Sequence, residues 1–300
     1  MRIHLVIHGG RRDAIPRLRE IISNLRKEGH EVRPRILFER GDAIRYATEG
    51  VEQDAELILA AGGDGTIHEV VNAIQRHPHH RRRSDGPLPR VGIIPLGTGN
   101  DLAGSLDIPP DPEEAMRVAV GGARVEVDVA RANDEYFLNV STGGFGAEAT
   151  EESSPEVKRA LGTLAYLISS ARKFASLEPL EATFRSDEIL HEGRFLFFAV
   201  GNSRRTGGGN WVTPKASMTD GLLDLCLIRD VPKVELLRLM PELRAGNHLE
   251  HPAVGYWQVP RLSVTAEAEL AVNADGEPLR GSTFDYRLSS RRLTLMVPSE

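Results

Sequence analysis

Residues 57 to 67 read Leu-Ile-Leu-Ala-Ala-Gly-Gly-Asp-Gly-Thr-Ile, an apolar run that breaks into glycines before a helix-forming segment. An apolar run of this length with no polar member suits a strand covered on both faces, and so a sheet flanked by helices. Glycines adopt unusual φ values and carry no Cβ, so backbone N–H groups there can approach an anion. A helix start adds unpaired donors and a partial positive charge. Thr66 stands where a cap is expected. Gly62, Gly63, Asp64, Gly65 and Thr66 therefore form a candidate phosphate cradle at the carboxyl end of a strand, where open α/β sheets bind ligands. Asp64 is the odd member, because a carboxylate repels phosphate. It either orients the loop by accepting backbone N–H groups or holds a cation. The plainer reading is a glycine turn with a capping role alone.

The surrounding sequence repeats the pattern. Apolar runs at Ile3–His8, Val32–Phe38, Ala55–Ala61 and Val91–Pro95 alternate with helical periodicity at Ile15–Gly29, Asp42–Gly50 and Ile67–Gln75. That rhythm predicts a parallel sheet with helices on both faces. Beyond about Val125 short strand-like runs dominate, from Val125–Ala130 and Tyr136–Val140 to Phe284–Leu288 and Leu293–Val297, separated by Gly, Asn, Asp and Pro. A helix is expected over Pro155–Ala175 and another over Lys233–Gly246. The fold class is thus α/β plus mainly β. The expected domains are 1–126, α/β, and 127–300, mainly β, with the last strand returning to the first domain.

Of the 300 residues 40% are hydrophobic and 27% charged, with a net charge of −6, which suits a soluble globular chain. The acidic balance argues against general nucleic-acid binding. The single cysteine, Cys226, lies in an apolar run and excludes an intramolecular disulfide. No segment has the apolar length of a spanning helix. A cytoplasmic protein is expected, as monomer or homodimer, with peripheral contact to the inner face of the membrane. The segment His77–Pro87 reads as a solvated surface loop, with a metal or anionic-lipid site as the sharper alternative.

Further constellations carry chemistry. Ile94-Pro95-Leu96-Gly97-Thr98-Gly99-Asn100-Asp101 is another strand, glycine turn and polar helix start. Two such turns at one sheet edge can hold a polyphosphate from both sides, with Thr98 donating a hydroxyl. There is no Gly-Lys-[Ser/Thr] motif, so this is no P-loop. In Asn273-Ala274-Asp275-Gly276-Glu277-Pro278 two carboxylates flank a glycine. Either could take a proton from an acceptor hydroxyl, although the pattern alone better suits a β-turn with exposed acids. In Ser217-Met218-Thr219-Asp220-Gly221-Leu222, Asp220 and nearby carbonyls could bind Mg²⁺ or Ca²⁺, or simply form a turn.

These segments, in this order, resemble the diacylglycerol-kinase-like lipid kinases, most closely the bacterial YegS type, over nearly the whole chain. Gly41-Asp42-Ala43, Thr142-Gly143-Gly144-Phe145-Gly146, Gly201-Asn202 and Gly207-Gly208-Gly209 extend the match. The Gly-Gly-Asp-Gly-Thr turn is shared with NAD kinases; Pro-Leu-Gly-Thr-Gly-Asn-Asp and Asp-Gly-Glu-Pro point to the lipid kinases. The resemblance implies a Rossmann-like nucleotide domain and a β-sandwich carrying the lipid site. It implies that Gly62 to His68, including Ile67, and Thr98 bind ATP. It implies that Glu277 is the general base, with Asp64 and Asp275 among the catalytic carboxylates. Asp220 with the backbone carbonyls of Ser217 and Leu222 would hold Mg²⁺. Two positions depart from the pattern. His68 stands where the family commonly has Asn, and Leu37, four before Gly41, where the closest relatives have a nucleotide-contacting Thr. Leu37 offers only packing or a backbone group. Lys158–Pro179 carries an apolar stripe bordered by basic residues, which suits either a membrane contact or a helix packed on the β domain.

The implied reaction is ATP-dependent, Mg²⁺-requiring phosphorylation of a glycerolipid hydroxyl, of the diacylglycerol or phosphatidylglycerol class. The alternatives are a kinase for NAD or another small metabolite, and a regulator that binds nucleotide or lipid without turnover.

Overall fold

The computed structural model describes residues 1–10, 14–78, 88–144 and 177–299. The chain divides into two compact units, Met1–Val127 with Arg291–Glu300, and Asp128–Ser290. The helix expected over Pro155–Ala175, most of Lys158–Pro179 and most of the His77–Pro87 loop lie outside the described residues.

The first unit is built on strands β1 (Arg2–His8), β2 (Glu31–Leu37), β3 (Leu57–Gly62) and β4 (Arg90–Pro95), joined by helices α1 (Ile15–Lys27), α2 (Asp42–Glu52) and α3 (Asp64–Arg76). Two shorter helices follow, α4 (Asp101–Ser105) and α5 (Pro112–Gly121), then β5 (Ala123–Val127). The final strand, β15 (Leu293–Val297), completes a sheet of order β2-β1-β3-β4-β15-β5. β1 to β4 are parallel; β15 runs parallel to β4 and antiparallel to β5. Every residue of β3 is buried, as its unbroken apolar sequence requires. α1 turns Leu18, Ile21, Ile22 and Leu25 inward at helical spacing. The sequence β2-β1-β3 reverses direction at β1, so the carboxyl ends of β1 and β3 flank a topological switch point.

The second unit is antiparallel. It contains β6 (Ala130–Ala132), β7 (Glu135–Phe137), β8 (Val140–Gly144), β9 (Leu180–Arg185), β10 (Leu190–Gly201), β11 (Leu223–Arg229), helix α6 (Lys233–Ala245), β12 (Val254–Val259), β13 (Arg261–Ala274) and β14 (Glu277–Leu288). β10 and β13 are long enough to pair with β9 at one end and β8 at the other. Phe184, Phe195 and Phe198 fill the core between them, with ring centroids 5.3 to 5.7 Å apart in edge-to-face pairs. A second cluster lies under α6, where Leu236, Leu239 and Leu243 meet Val212, Cys226 and Ile228. Burial pushes the Cys226 thiol up to about 12, so it is a core residue and not a nucleophile.

Several sequence boundaries are corrected. The Arg261–Ala266 and Leu270–Val272 runs are one strand. A register shift between Thr265 and Leu270 carries the chain through Glu267-Ala268-Glu269, whose charges broke the apolar pattern. The Val125–Ala130 run is two strands, parted at Asp128, where the chain passes from the first unit to the second. α5 was not read from the sequence. Asp111 caps it by accepting the N–H groups of Glu113 and Glu114, with Pro112 in its first turn.

Candidate active site

In the first unit the two glycine turns lie against each other at the carboxyl edge of the sheet. The chain leaves β3 at Gly62 and begins α3 at Asp64, with Gly63 as the extended cap residue. The helix thus starts three residues earlier than its apolar periodicity shows. Thr66 is not the cap; it occupies the third helical position, buried, with its hydroxyl over the Cα of Gly62. A side chain at Gly62 would collide with it. A Cβ on Gly97 would lie 2.5 Å from the Cα of Gly63 and 2.6 Å from Asn100 Oδ1. Gly97 is therefore needed for the turns to touch, and Gly62 for Thr66 to fold over its own turn.

Asp64 ties them together. Its Oδ2 accepts the N–H of Asp101 and its Oδ1 the N–H of Leu102, each at 3.1 Å. These are the first two residues of α4, so the carboxylate answers donors that the helix itself leaves unpaired. Of the two roles open to Asp64 in the sequence, loop orientation is the one its bonding describes. Asn100, left-handed at φ 50°, closes the second turn from within: it accepts the Gly97 N–H and donates to the Gly97 carbonyl. Gly65, Thr98 and Gly99 remain exposed on the outer side. Ile67 and His68 point into the unit; His68 is buried, 3.2 Å from Asn72 Nδ2.

Leu37 ends β2, half-buried, beside the close of β1, and a side chain on Gly9 would strike its carbonyl. The next residue, Phe38, is 86% exposed. Asp42 accepts the N–H groups of Phe38 and Glu39 and pairs with Arg45. The Phe38 N–H leads the interactions that hold its carboxyl below the usual range.

The second unit holds the other carboxylates. Asp275, left-handed at φ 49°, accepts the N–H groups of Leu138, Asn139 and Val140 at 2.7 to 3.1 Å. Both its oxygens thus brace the turn from which Glu277 begins β14, half-buried and paired in register with Ala274. A network runs on from there. Asn139 accepts the N–H groups of Asn202 and Ser203 on its carbonyl and the Ser203 hydroxyl on its side chain. Asn202 donates to the carbonyls of Leu138 and Asp128. Asp128 then accepts the Gly221 N–H on its side chain, and its own N–H reaches the Met218 carbonyl. The Asp275-Gly276-Glu277 turn and the Ser217–Leu222 turn are therefore parts of one hydrogen-bonded frame.

Within the Ser217–Leu222 turn Asp220 is exposed, and its Oδ1 accepts the Leu222 N–H at 3.0 Å. Nearby Asp224 is buried and raised to about 6, first by burial and against the bonds it accepts from Tyr256 and Gln258. Among the described residues no group of three His, Cys, Asp or Glu side chains could hold a metal. A cation here would depend on Asp220 Oδ2 and on carbonyl oxygens. Such a donor set fits a hard ion such as Mg²⁺ or Ca²⁺.

Sequence reasoning missed Asp128, Asn139 and Phe38. Asp128 alone left a trace, as a carboxylate inside Val125-Glu126-Val127-Asp128-Val129-Ala130. Asn139 and Phe38 are intelligible only once the strands are paired.

Comparisons with known proteins agree with the fold. The diacylglycerol kinase catalytic domain matches residues 2–132, and the YegS C-terminal NAD kinase beta sandwich-like domain matches residues 139–297. "Probable lipid kinase YegS-like" of Klebsiella pneumoniae (strain 342) is 36% identical over 300 residues, covering 99% of this chain and 96% of that protein. "Probable lipid kinase YegS" of Salmonella arizonae is 35% identical over 297 residues, with the same coverage of each. Two solved structures from Bacillus anthracis str. Sterne share the fold, with TM-scores of 0.83 and 0.74 at 24% and 20% identity. They cover 99% of this chain and 95% and 96% of theirs, and the second is described as a diacylglycerol kinase. A parallel α/β unit with paired glycine turns, followed by a sandwich-like β unit, is the build of a kinase-type phosphotransferase. The chain belongs to the YegS-like family of diacylglycerol-kinase proteins.

Proposed function

We propose that this protein is an ATP-dependent lipid kinase that transfers the γ-phosphoryl group of ATP to a hydroxyl of a glycerolipid, of the diacylglycerol or phosphatidylglycerol class. The observation that carries the reading is the locked pair of glycine turns, held by Asp64 through the N–H groups of Asp101 and Leu102. Such a pair gives a polyphosphate backbone donors and a helix start at the carboxyl edge of the sheet. In this reading Gly62, Gly63, Gly65, Thr66 and Thr98 line the phosphates. His68, buried against Asn72, and Ile67 shape α3 behind them. Leu37 lines the nucleotide site through its backbone.

Glu277 takes the proton from the acceptor hydroxyl, and Asp275 positions it by fixing the turn. Asp64 likewise acts by holding donors in place. Mg²⁺ bound with the nucleotide would neutralise the charge that develops on the transferring phosphoryl group. A second ion at Ser217 O, Asp220 and Leu222 O would stabilise the turn framed by Asp128. The protein acts at the cytoplasmic face of the membrane; no described helix is long and apolar enough to cross one.

The test is a panel of acceptors with γ-labelled ATP: diacylglycerol, phosphatidylglycerol, a sphingoid base and NAD. Label in a glycerolipid, abolished by Glu277→Gln with ATP affinity retained, is the expected result. Label in NAD alone, or full turnover in Glu277→Gln, would falsify the assignment.

A further inference from the structure

The helix α6 has two faces of different use. Leu236, Leu239 and Leu243 are buried in the second unit. On the opposite side Val234 is 57% exposed and Leu237 43% exposed, one turn apart. Pro241 and Ala245 continue the same line and are also exposed. At helical spacing Arg238 borders this ridge on one side and Arg244 on the other, both exposed. Neither arginine has a carboxylate within ion-pairing distance among the described residues, where Glu235 faces His251. Two acids lie on the Arg238 side, Glu242, exposed, and Glu235, half-buried and turned to His251.

The surface continues past the end of the helix. Gly246, left-handed at φ 79°, brings the chain against Trp211, whose Cβ would lie 3.1 Å from a Cβ on that glycine. The Arg205 guanidinium sits 4.1 Å over the Trp211 ring. A short apolar ridge, flanking arginines and an adjoining Trp with a stacked Arg thus form one surface. The chain as a whole carries −6, so it would be repelled by an anionic bilayer unless it presented a local face of the opposite sign. Arg205, Arg238 and Arg244 against Glu242 make such a face, with Glu235 opposite His251, and its apolar centre holds two large side chains, Val234 and Leu237, too few for a protein core cut in half. Exposed Val and Leu side chains at its crest suit shallow insertion of an in-plane helix into the headgroup layer, and an indole beside them suits the interface.

We propose that the outer face of α6, with Trp211 and Arg205, is the surface by which this protein docks on a bilayer containing anionic phospholipid. The proposal rests on the lipid-kinase reading only for its purpose: the acceptor is then a membrane component, and α6 brings the second unit to it.

The experiment is sedimentation of the full chain with vesicles of phosphatidylcholine, with or without phosphatidylserine, for wild type, Arg238→Glu with Arg244→Glu, and Val234→Asp with Leu237→Asp. All these positions are exposed, and thermal melting checks that the variants fold. Binding that needs phosphatidylserine is expected, with roughly a fivefold loss for each positive charge removed and about tenfold or more for the apolar pair. Phosphorylation of diacylglycerol in vesicles should fall in parallel, while a short-chain diacylglycerol in detergent is turned over as by wild type. Should no lipid be phosphorylated while wild type binds anionic vesicles and the variants do not, the kinase reading fails and the docking surface stands. Equal binding to neutral and anionic vesicles, or variants that bind as wild type does, would overturn the proposal. So would a dimer in sedimentation velocity that Val234→Asp with Leu237→Asp splits, since the face would then serve a second copy.

Discussion

Removing the Asp64 carboxylate should detach the second glycine turn from the first. Its two oxygens hold the N–H groups of Asp101 and Leu102, each at 3.1 Å. Hydrogen bonds to a charged group contribute about 1.5–3 kcal/mol each, and the partial exposure of Asp64 puts both near the low end. Asp64→Ala should therefore release about 3 kcal/mol of loop ordering. Nucleotide binding would have to restore that order, which corresponds to roughly a hundredfold weaker affinity. Asp64→Asn should do little better, because its NH₂ group would face one of the two N–H donors. Amide hydrogen exchange reads the loop directly: Asp101 and Leu102 should exchange faster in both variants. Calorimetric titration with ATP in EDTA reads the affinity with no divalent ion present. A variant that binds ATP as wild type does in EDTA and differs only when Mg²⁺ is added would refute the reasoning. It would return Asp64 to the role of a cation holder.

Gly97→Ala should act on the same junction from the other side, since its Cβ would lie 2.5 Å from the Gly63 Cα; weaker ATP binding is expected, and wild-type affinity would show that the turns can part freely. Asp275→Ala removes the acceptor for the three N–H groups at Leu138 to Val140. It should lower both the unfolding midpoint and kcat, whereas Glu277→Gln should lower kcat alone; a stable, fully active Asp275→Ala would sink the positioning role. His4 and His248 are buried, with their ring pKa values lowered chiefly by burial. Below the unfolded value of about 6.5 the unfolded chain then binds more protons. These groups thus contribute stability above that pH, and it is lost as the pH falls toward their folded values. Urea titrations at pH 7.5 and 5.5 should show the loss, and His4→Gln should reduce its slope by up to about 1.4 kcal/mol per pH unit. An unchanged slope would contradict the burial argument.

The sequence made the parallel sheet legible because β3 and β4 are so apolar that no amphipathic element fits them. The glycine turns were equally plain, since Gly63 and Gly97 answer close backbone approach and Gly62 makes room for the Thr66 side chain. What Asp64 does was not legible: its partners lie 37 and 38 residues away, on a helix only five residues long. The cap at Gly63 was missed for a related reason. Thr66 has the chemistry of a cap, but the helix begins earlier, and the hydroxyl covers Gly62 instead. In the second unit, charge patterns misled where a bulge carries β13 past Glu267 and Glu269. The Asp275 turn looked like any acidic turn because its three N–H partners come from a segment more than 130 residues earlier. Glycine periodicity and apolar runs report local geometry; they carry no signal about long-range polar frames of this kind.

The position of β15 has a consequence for how the chain is made. In the first sheet it lies between β4 and β5, so β5 has no neighbour but a strand encoded by residues 293–297. A ribosome that has just released β5 has delivered two strand edges with nothing to join them. It must then synthesise the whole of the second unit before the missing piece arrives. Through that interval β4 and β5 offer open backbone donors and acceptors of the kind that recruit foreign strands. The first unit therefore matures last although it is translated first. A nascent chain stalled anywhere in the second unit is a candidate for chaperone capture at those edges. Loss of the residues of β15 would wound the first unit, although more than 160 residues of the second unit separate that strand in sequence from the rest of it.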